Sequence, residues 1–219
     1  MLSLTIAGTT LAQQSVEVRI AGGAGFPTSN FASYNGHSLG YAKQGWVGGL
    51  ELGYSLRKNW SLSFSVDYGL NGTDATQIAH EYLHANPAYL RAEVKSGSYQ
   101  SLSAFAGLEP RINLAPKLYL QGLVAIGISN VEGPNNTAHI SFSSPFEEKT
   151  VAGSSNALAY KGKISLKYDL SDKLGIGVFG GYFGTNPTFT IVDAATDNHY
   201  TVEQKVGVLT SGIQLSFKL

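Results

Sequence analysis

The stretch that decides the fold is WSLSFSVDYGL, residues 60–70. Its even positions are apolar and its odd positions are polar or small: Trp60, Leu62, Phe64, Val66, Tyr68 and Leu70 alternate with Ser61, Ser63, Ser65, Asp67 and Gly69. Successive side chains of a β-strand point to opposite faces, so this pattern predicts a strand with one apolar and one polar face. Residues 46–56 alternate in the same way, and only Arg57-Lys58-Asn59 separates the two segments, which predicts a tight hairpin.

The same strand–turn–strand unit recurs twice further along the chain. Alternating segments over residues 102–128 are joined by Ala115-Pro116-Lys117, and those over residues 158–182 are joined by Ser171-Asp172-Lys173. A first strand over residues 16–20 and a last one over residues 209–219 bring the strand count to eight. The other connections are long, at roughly residues 27–44, 71–98, 130–157 and 186–203. The sequence therefore predicts an all-β protein, an eight-stranded antiparallel up-and-down barrel with short turns at one end and long loops at the other.

The composition excludes several other classes of protein. Only 14% of the 219 residues are charged, and 15 Lys and Arg balance 15 Asp and Glu, so the basic surface of a nucleic-acid-binding protein is absent. The chain has no cysteine, which excludes disulfides, cysteine-ligated metals and a thiol nucleophile. It also lacks an apolar run of about 18 residues, the length that a transmembrane helix requires.

The N-terminal segment resembles a processing signal. Residues 1–12, MLSLTIAGTTLA, are uncharged, mostly apolar or small, and end in a small-x-small sequence. This pattern is typical of the end of a secretory signal peptide. We therefore expect a signal-peptide remnant over residues 1–12 and the barrel domain over residues 13–219.

The apolar faces of the strands carry aromatic residues near both strand ends: Trp46, Tyr54, Trp60, Tyr68, Tyr160, Tyr168 and Tyr182. Tryptophan and tyrosine are enriched where a membrane meets water. This sorting favours a barrel whose apolar face contacts lipid. In the alternative, a soluble lipocalin-like carrier, the apolar face would line the interior.

The polar faces carry charges of both signs: Glu17, Arg19, Glu51, Asp67, Glu109, Arg111, Lys161, Lys163, Lys167, Asp169 and Lys205. Lys205 belongs to this set only if the register shifts by one residue near Val208-Leu209, and Lys218 is assigned to the rim. The rings of Phe105, Tyr119, Phe179 and Phe183 share the same faces. The interior of an eight-stranded barrel is just wide enough for side chains, and buried charges need partners. We therefore predict a lumen filled by ion pairs and rings, with little conductance.

The alternating strands, the three short turns and the C-terminal GIQLSFKL resemble the small eight-stranded outer-membrane barrels of the OmpA transmembrane-domain and OmpX type. The resemblance covers about residues 15–219. It implies a transmembrane barrel in the outer membrane of a Gram-negative bacterium, with short periplasmic turns and long extracellular loops. It also implies a monomer whose partners are outer-membrane lipids, lipopolysaccharide and any extracellular ligand of the loops. The chain departs from the family by ending in Leu219 rather than an aromatic residue, and Pro110 inside the fourth strand predicts a local bulge.

One motif suggests metal chemistry. Residues His80-Glu81-Tyr82-Leu83-His84 spell the H-E-x-x-H pattern of zinc proteases, in which a helix presents two imidazoles on one face. Residues 75–85 are predicted to form a short helix that Pro87 ends, and the nearest downstream carboxylate, Glu93, lies beyond that proline. A loop on a small barrel encloses a substrate poorly, so we expect a solvated segment without catalysis. Adventitious metal binding by His80 and His84 is left open.

A lipid-modifying hydrolase or acyltransferase would need a serine activated by a nearby histidine at the lipid-facing rim. All five histidines lie in the long loops: His37, His80, His84, His139 and His199. The best rim candidate is His199 with Asp197 and Tyr200, with Ser143 or Ser144 contributed by another loop.

The sequence favours a non-enzymatic outer-membrane barrel with a structural, adhesive or protective role that its loops carry. We expect no catalytic residue, no cofactor and no metal site in such a protein. The lipid-modifying enzyme and the lipocalin-like carrier are the two alternatives.

Overall fold

The computed structural model describes residues 16–33, 40–141, 146–193 and 198–219. Residues 1–12, where the sequence predicts a signal-peptide remnant, lie outside the described residues. The described elements are, in chain order, β1 (Val16–Pro27), the one-turn 3-10 helix η1 (Ser29–Phe31), β2 (Ala42–Arg57), β3 (Trp60–Thr73), α1 (Ala75–Ala85), β4 (Arg91–Ser96), β5 (Tyr99–Ala115), β6 (Leu118–Glu132), β7 (Asn136–Ser141), β8 (Phe146–Ala152), β9 (Ser154–Asp169), β10 (Leu174–Thr185), β11 (Thr188–Asp193), β12 (Asn198–Glu203) and β13 (Val206–Lys218). In this part of the chain, no helix is long and apolar enough to cross a membrane.

Eight of these strands close a barrel, which confirms the predicted fold. The order around the barrel is β1-β2-β3-β5-β6-β9-β10-β13. Every neighbouring pair is antiparallel, and β13 closes the ring on β1 from Glu17↔Lys218 to Pro27↔Val208. Only residues 58–59, 116–117 and 170–173 connect the three predicted hairpins, so the short turns lie together at one end of the barrel. We call this the turn end and the opposite end the loop end.

The barrel is apolar outside and polar inside. Outward side chains stay largely exposed, such as Leu50 at 58% and Val124 at 74%. Inward side chains are covered, such as Ser63 at 2% and Glu109 at 1%. Membrane barrels have this arrangement, with lipid against the apolar face, whereas a lipocalin has the reverse. The lipocalin-like alternative is therefore wrong.

The aromatic residues of the outer face form two levels, as predicted. On each of three strands the two rings are eight residues apart: Trp46 and Tyr54 on β2, Trp60 and Tyr68 on β3, Tyr160 and Tyr168 on β9. Eight residues span about 26 Å along a strand, which a tilt of about 40° reduces to about 20 Å across a membrane. At the loop end the rings also contact one another, with 5.3 Å between the ring centroids of Trp46 and Tyr68. The two levels therefore border an apolar band that suits a hydrocarbon layer.

The long connections are confirmed, but three of them carry β-strands that the sequence does not predict. Five strands within them form a second antiparallel sheet in the order β12-β11-β8-β7-β4, which we call the outer sheet. One face of the outer sheet is covered, and Ala138 and Ile140 on β7 are each only 1% exposed there. Helix α1 contacts β4. We call the outer sheet and α1 together the platform.

Helix α1 has the predicted bounds because its ends carry clear signals. The Asp74 side chain accepts a hydrogen bond from the Gln77 backbone N–H and so caps the N-terminus. At the other end the Asn86 N–H donates to the Tyr82 carbonyl, and Pro87 follows. A residue before a proline is disfavoured in the helical conformation, which ends the helix.

The bulge predicted at Pro110 is wrong. Between β5 and β6 the pairs Leu108↔Val124 and Arg111↔Gln121 keep the same register on both sides of the proline. A glycine, Gly122, faces the proline, and a Cβ atom built on it would lie 3.5 Å from the Pro110 ring. The strand therefore accommodates the ring without an extra residue, and the register shift of this hairpin lies at the turn, between Asn113 and Ala115.

Candidate functional site: a closed lumen beneath a platform

A network of ion pairs fills the barrel around Arg19. This residue is 1% exposed, and its Nε donates to Glu17 at 3.0 Å. Its Nη1 donates to Glu51 and, at 2.5 Å, to Glu109, while Nη2 donates to the second oxygen of Glu109 at 2.6 Å. The planar guanidinium suits this two-pronged contact with a carboxylate. Arg19 thereby ties β1 to the neighbouring β2 and to β5, two strands further round the barrel.

Gly53 on β2 makes the contact between Arg19 and Glu109 possible. A Cβ atom at Gly53 would lie only 2.3 Å from Arg19 Nη2 and 3.7 Å from a carboxylate oxygen of Glu109. Its neighbours in register, Ser63 on β3 and then Gly107 on β5, are also small. A row of small inward residues therefore leaves the space that the guanidinium occupies.

Three lysines on β9 extend the network across the lumen. Lys163 donates to Glu51 at 2.7 Å, from the strand diametrically opposite β2. Lys161 donates to Asp67 at 2.7 Å, and Lys167 donates to Glu17. Because these pairs join opposite walls, charged side chains bridge the barrel interior. The predicted ion-pair network is confirmed for these residues.

The turn end of the lumen holds a second cluster, which includes a residue that the sequence analysis misassigned. Lys218 points inward and pairs with Asp169 at 2.5 Å, and Asp169 also accepts from the Tyr119 hydroxyl at 3.2 Å. The guanidinium of Arg111 lies 3.5 Å from the centroid of the Tyr119 ring. The assignment of Lys218 to the rim is therefore wrong, since even-numbered residues of β13 face the lumen.

Lys205 does not belong to the lumen, because the register shift on which its inward position depended does not occur. Strand β13 pairs with β10 without interruption from Thr185↔Val206 to Leu174↔Phe217. No register shift occurs near Val208, because the ladder is continuous there. Lys205 lies just before the strand and is exposed.

An apolar cluster closes the loop end of the barrel. Its buried members, which we call the mouth cluster, are Phe31, Ala42, Tyr99, Val131, Phe189, Val206 and Val208. Phe31 is 1% exposed and packs edge-to-face on Tyr99 with 4.9 Å between ring centroids. Backbone bonds hold its segment over the mouth, such as Thr28 N–H to the Gly207 carbonyl at 2.8 Å. A cavity of about 80 Å³ lies between this cluster and the ion-pair network, lined by residues of both, including Val208 and Lys163.

The uncovered face of the outer sheet presents charges of both signs. His139 and Lys149 both contact the carboxylate of Glu147, at 3.3 and 2.7 Å. Hydrogen bonding to Lys149, the adjacent lysine charge and His139 lower the pKa of the Glu147 carboxyl below its ordinary value. On the edge strand β4, Arg91 and Glu93 lie 3.7 Å apart. This face is a polar, mixed-charge surface directed away from the barrel.

The H-E-x-x-H segment forms the last turns of α1. His80 and His84 are exposed, Glu81 is partly covered, and Glu93 is exposed on β4 where it pairs with Arg91. Within the described residues, no three His, Cys, Asp or Glu side chains are placed to hold one metal ion. The motif is therefore helical, as predicted, but its two histidines gain no third ligand in the part of the chain that is described.

Of the candidate residues for lipid chemistry, the structure describes only His199 and Tyr200. His199 and Tyr200 lie on β12, an edge strand of the outer sheet, and both side chains are exposed. Ser143, Ser144, Asp197 and His37 lie outside the described residues. The rim position expected for His199 is wrong, because its loop folds into the outer sheet.

A closed eight-stranded barrel with an apolar exterior, two aromatic levels and a charged interior defines an outer-membrane β-barrel protein. A family model described as "Outer membrane protein beta-barrel domain" matches residues 1–144. The chain belongs to this family and is a protein of the Gram-negative outer membrane. Among curated proteins, none matches the sequence.

Solved structures share the fold at low sequence identity. A major outer membrane protein from Thermus thermophilus is 12% identical, with a TM-score of 0.54, and the match covers 93% of this chain and 99% of that one. Ail, the attachment invasion locus protein of Yersinia pestis, is 16% identical with a TM-score of 0.46, covering 94% and 100%. The outer membrane protease OmpT from Escherichia coli is 8% identical with a TM-score of 0.42, covering 94% and 96%. At these identities the likeness is one of fold alone.

Proposed function

We propose that this protein is a non-enzymatic outer-membrane barrel whose role is to present the platform at the cell surface for structural, adhesive or protective contacts. The observation that carries the proposal is that side chains bridge the lumen while strands of three long loops form the outer sheet. Arg19, Glu51 and Lys163 bridge the barrel, and the mouth cluster covers it. Among the described residues, the platform offers the exposed surface at the loop end that is available for recognition.

The construction of the platform supports contact with a macromolecule. Its outer sheet has five strands, with a buried face beneath and a polar face above. Sheets of three or more strands with a covered apolar face are stable enough to hold their shape. A preformed surface loses less conformational entropy on binding than a disordered loop does. The mixed charges of Arg91, Glu93, Glu147 and Lys149 would then give such a contact its orientation and specificity.

A charge-reversal experiment tests this proposal. Bacteria that express the protein would be measured for attachment to cultured epithelial cells and to surfaces coated with fibronectin or collagen. Lys95→Glu with Lys149→Glu changes the polar face of the outer sheet, whereas Lys58→Glu with Lys117→Glu changes the turn end by the same charge. We expect the first pair to change attachment severalfold and the second pair to leave it unchanged. Attachment equal to that of cells without the protein would contradict a surface-contact role.

The enzymatic alternatives are tested on the purified protein in phospholipid vesicles. We expect no release of fatty acid from phospholipid or lipid A, and no zinc-dependent peptidase activity. The matched variant Glu81→Gln removes the residue that would act as general base in a zinc protease and should be indistinguishable from the wild type. Stoichiometric zinc with chelator-sensitive proteolysis, or fatty-acid release, would overturn the non-enzymatic assignment.

A further inference from the structure

A second cavity lies above the mouth cluster, between the barrel, α1 and the outer sheet. Its volume is about 150 Å³. Tyr41 contributes from the residue just before β2, Tyr99 from the start of β5 and Ile78 from α1. Phe189, Ile191 and Val202 contribute from the outer sheet. The walls therefore come from segments far apart in the sequence, and folding of the platform onto the barrel creates the space.

Three polar side chains of these walls are already bonded to the protein. Thr73 donates its hydroxyl hydrogen to the Gly97 carbonyl at 2.7 Å. Asn136 accepts from the Ser96 hydroxyl at 2.5 Å, and the Gln204 amide donates to the Asn30 carbonyl at 3.3 Å. Water in a cavity needs several polar partners, and an apolar cavity without them stays dry. These bonds leave the rings and branched aliphatic side chains as the surface that an occupant would meet.

The backbone of Tyr41 is strained where it forms the wall. Its φ is 47°, in the left-handed region that few residues other than glycine adopt. The Asp74 N–H donates to the Tyr41 carbonyl at 2.8 Å, which holds this conformation. Burial, together with the nearby Glu81 carboxylate, raises the pKa of Tyr41 to about 12, so its ring stays uncharged at neutral pH. Strain of this kind is concentrated at binding sites.

We propose that this cavity, formed by Tyr41, Ile78, Tyr99, Phe189, Ile191 and Val202, is a binding site for a neutral aromatic molecule of about the size of benzene. The volume matches that of an apolar cavity that binds benzene, about 150 Å³. Three aromatic walls allow edge-to-face contacts with a ring. An anionic ligand is disfavoured, because these walls would remove part of its hydration and bring it towards the Glu81 carboxylate near Tyr41. The site is independent of the surface contacts proposed above.

Benzene itself is the probe, with the full chain in lipid nanodiscs and its isoleucine methyl groups isotopically labelled. Ile78 and Ile191 report on the cavity, whereas Ile126 and Ile164 face lipid and report on benzene dissolved in the bilayer. We expect saturable shifts and benzene-to-methyl nuclear Overhauser effects at Ile78 and Ile191. Effects confined to Ile126 and Ile164 would overturn the proposal.

Cavity-filling variants provide the matched control. Val202→Phe places a ring in the cavity, whereas Thr201→Phe adds the same ring to the exposed face of the same strand. Binding should weaken at least tenfold in the first variant and stay within twofold in the second. Ala152→Leu fills the cavity from another strand and should also abolish binding, which keeps the test decisive if Val202→Phe folds poorly. Unchanged binding in the folded cavity-filling variants would contradict the site.

Discussion

The ion-pair network predicts that Glu109→Gln destabilises the wild-type barrel but stabilises the Arg19→Met variant. Arg19→Met removes the cation that three carboxylates share, but Glu51 keeps Lys163 and Glu17 keeps Lys167. Glu109, at 1% exposure, loses the donors to both of its oxygens. Removing one partner of a buried ion pair costs about 3–5 kcal/mol, because the other charge is left uncompensated. Arg19→Met should therefore lower the free energy of unfolding by about that amount.

Glu109→Gln should then act differently in the two backgrounds. In the wild type it removes a charge that Arg19 uses and should destabilise the barrel by about 3 kcal/mol. In the Arg19→Met background it removes the uncompensated charge, so the double variant should be more stable than Arg19→Met alone. The expected coupling between the two residues is about 3 kcal/mol or more, at the upper end for residues in contact.

Denaturant unfolding in phospholipid vesicles measures these free energies, and the two tryptophans, Trp46 and Trp60, report transfer out of the bilayer by fluorescence. Glu203→Gln removes an exposed carboxylate and serves as the control, with little expected change. Equal destabilisation by Glu109→Gln in both backgrounds would refute the network, because independent sites give additive effects.

Three further predictions concern other parts of the molecule. Phe64→Arg and Val124→Arg on the outer face should each lower the free energy of unfolding by about 2–4 kcal/mol near the bilayer midplane. Ser63→Arg should destabilise by crowding Arg19, so its effect should not depend on bilayer thickness, and unfolding in thin and thick vesicles compares the variants. Equal stability of Phe64→Arg and wild type would reverse the assigned faces. Conductance in planar bilayers should be small or absent, and stable, large, weakly selective openings would show an aqueous pore instead. Asp74→Ala removes the N-terminal cap of α1 and should lower the stability of this helix by about 1 kcal/mol at neutral pH. Partial burial raises the pKa of Asp74, but hydrogen bonds from the helix N-terminus and Lys43 hold this pKa below 3.8. The stabilisation by the cap is therefore present above pH 3.8 and is lost as the pH falls through the lower pKa of the folded state. The protection of the α1 amides from hydrogen exchange should become equal in wild type and variant at that low pH, and a constant difference would contradict the cap.

The faces of the barrel strands follow from residue parity alone. The alternation in residues 60–70 assigns Phe64 outward and Ser63 inward, and the structure agrees. On the last strand the alternation has the opposite phase, because the odd-numbered Ile213, Leu215 and Phe217 are apolar. It therefore assigns the even-numbered Lys218 to the lumen and Lys205 to the outside. The assignment of Lys218 to the rim disregards this alternation and is wrong for that reason.

Contacts between distant segments could not be predicted in this way. Arg19 reaches Glu109 through the space at Gly53, and an inward glycine in an alternating strand carries no sign of that role. The strands of the outer sheet are six or seven residues long, and their covered positions are small or polar as often as they are apolar. Phe31 closes the mouth from a short 3-10 helix, which has no hydrophobic repeat to identify it.

The apolar face of each barrel strand contacts lipid, and the charged face lines a closed lumen; site-directed spin labelling tests this arrangement directly. The chain has no cysteine, so single-cysteine variants along β3 can each carry one nitroxide spin label. Collision rates with oxygen, which dissolves in lipid, and with a water-soluble nickel complex would be measured for each label in vesicles. We expect high oxygen accessibility at the even-numbered positions and low accessibility to both reagents at the odd-numbered positions, with a period of two residues. Oxygen maxima at the odd positions, or high nickel accessibility along them, would contradict it.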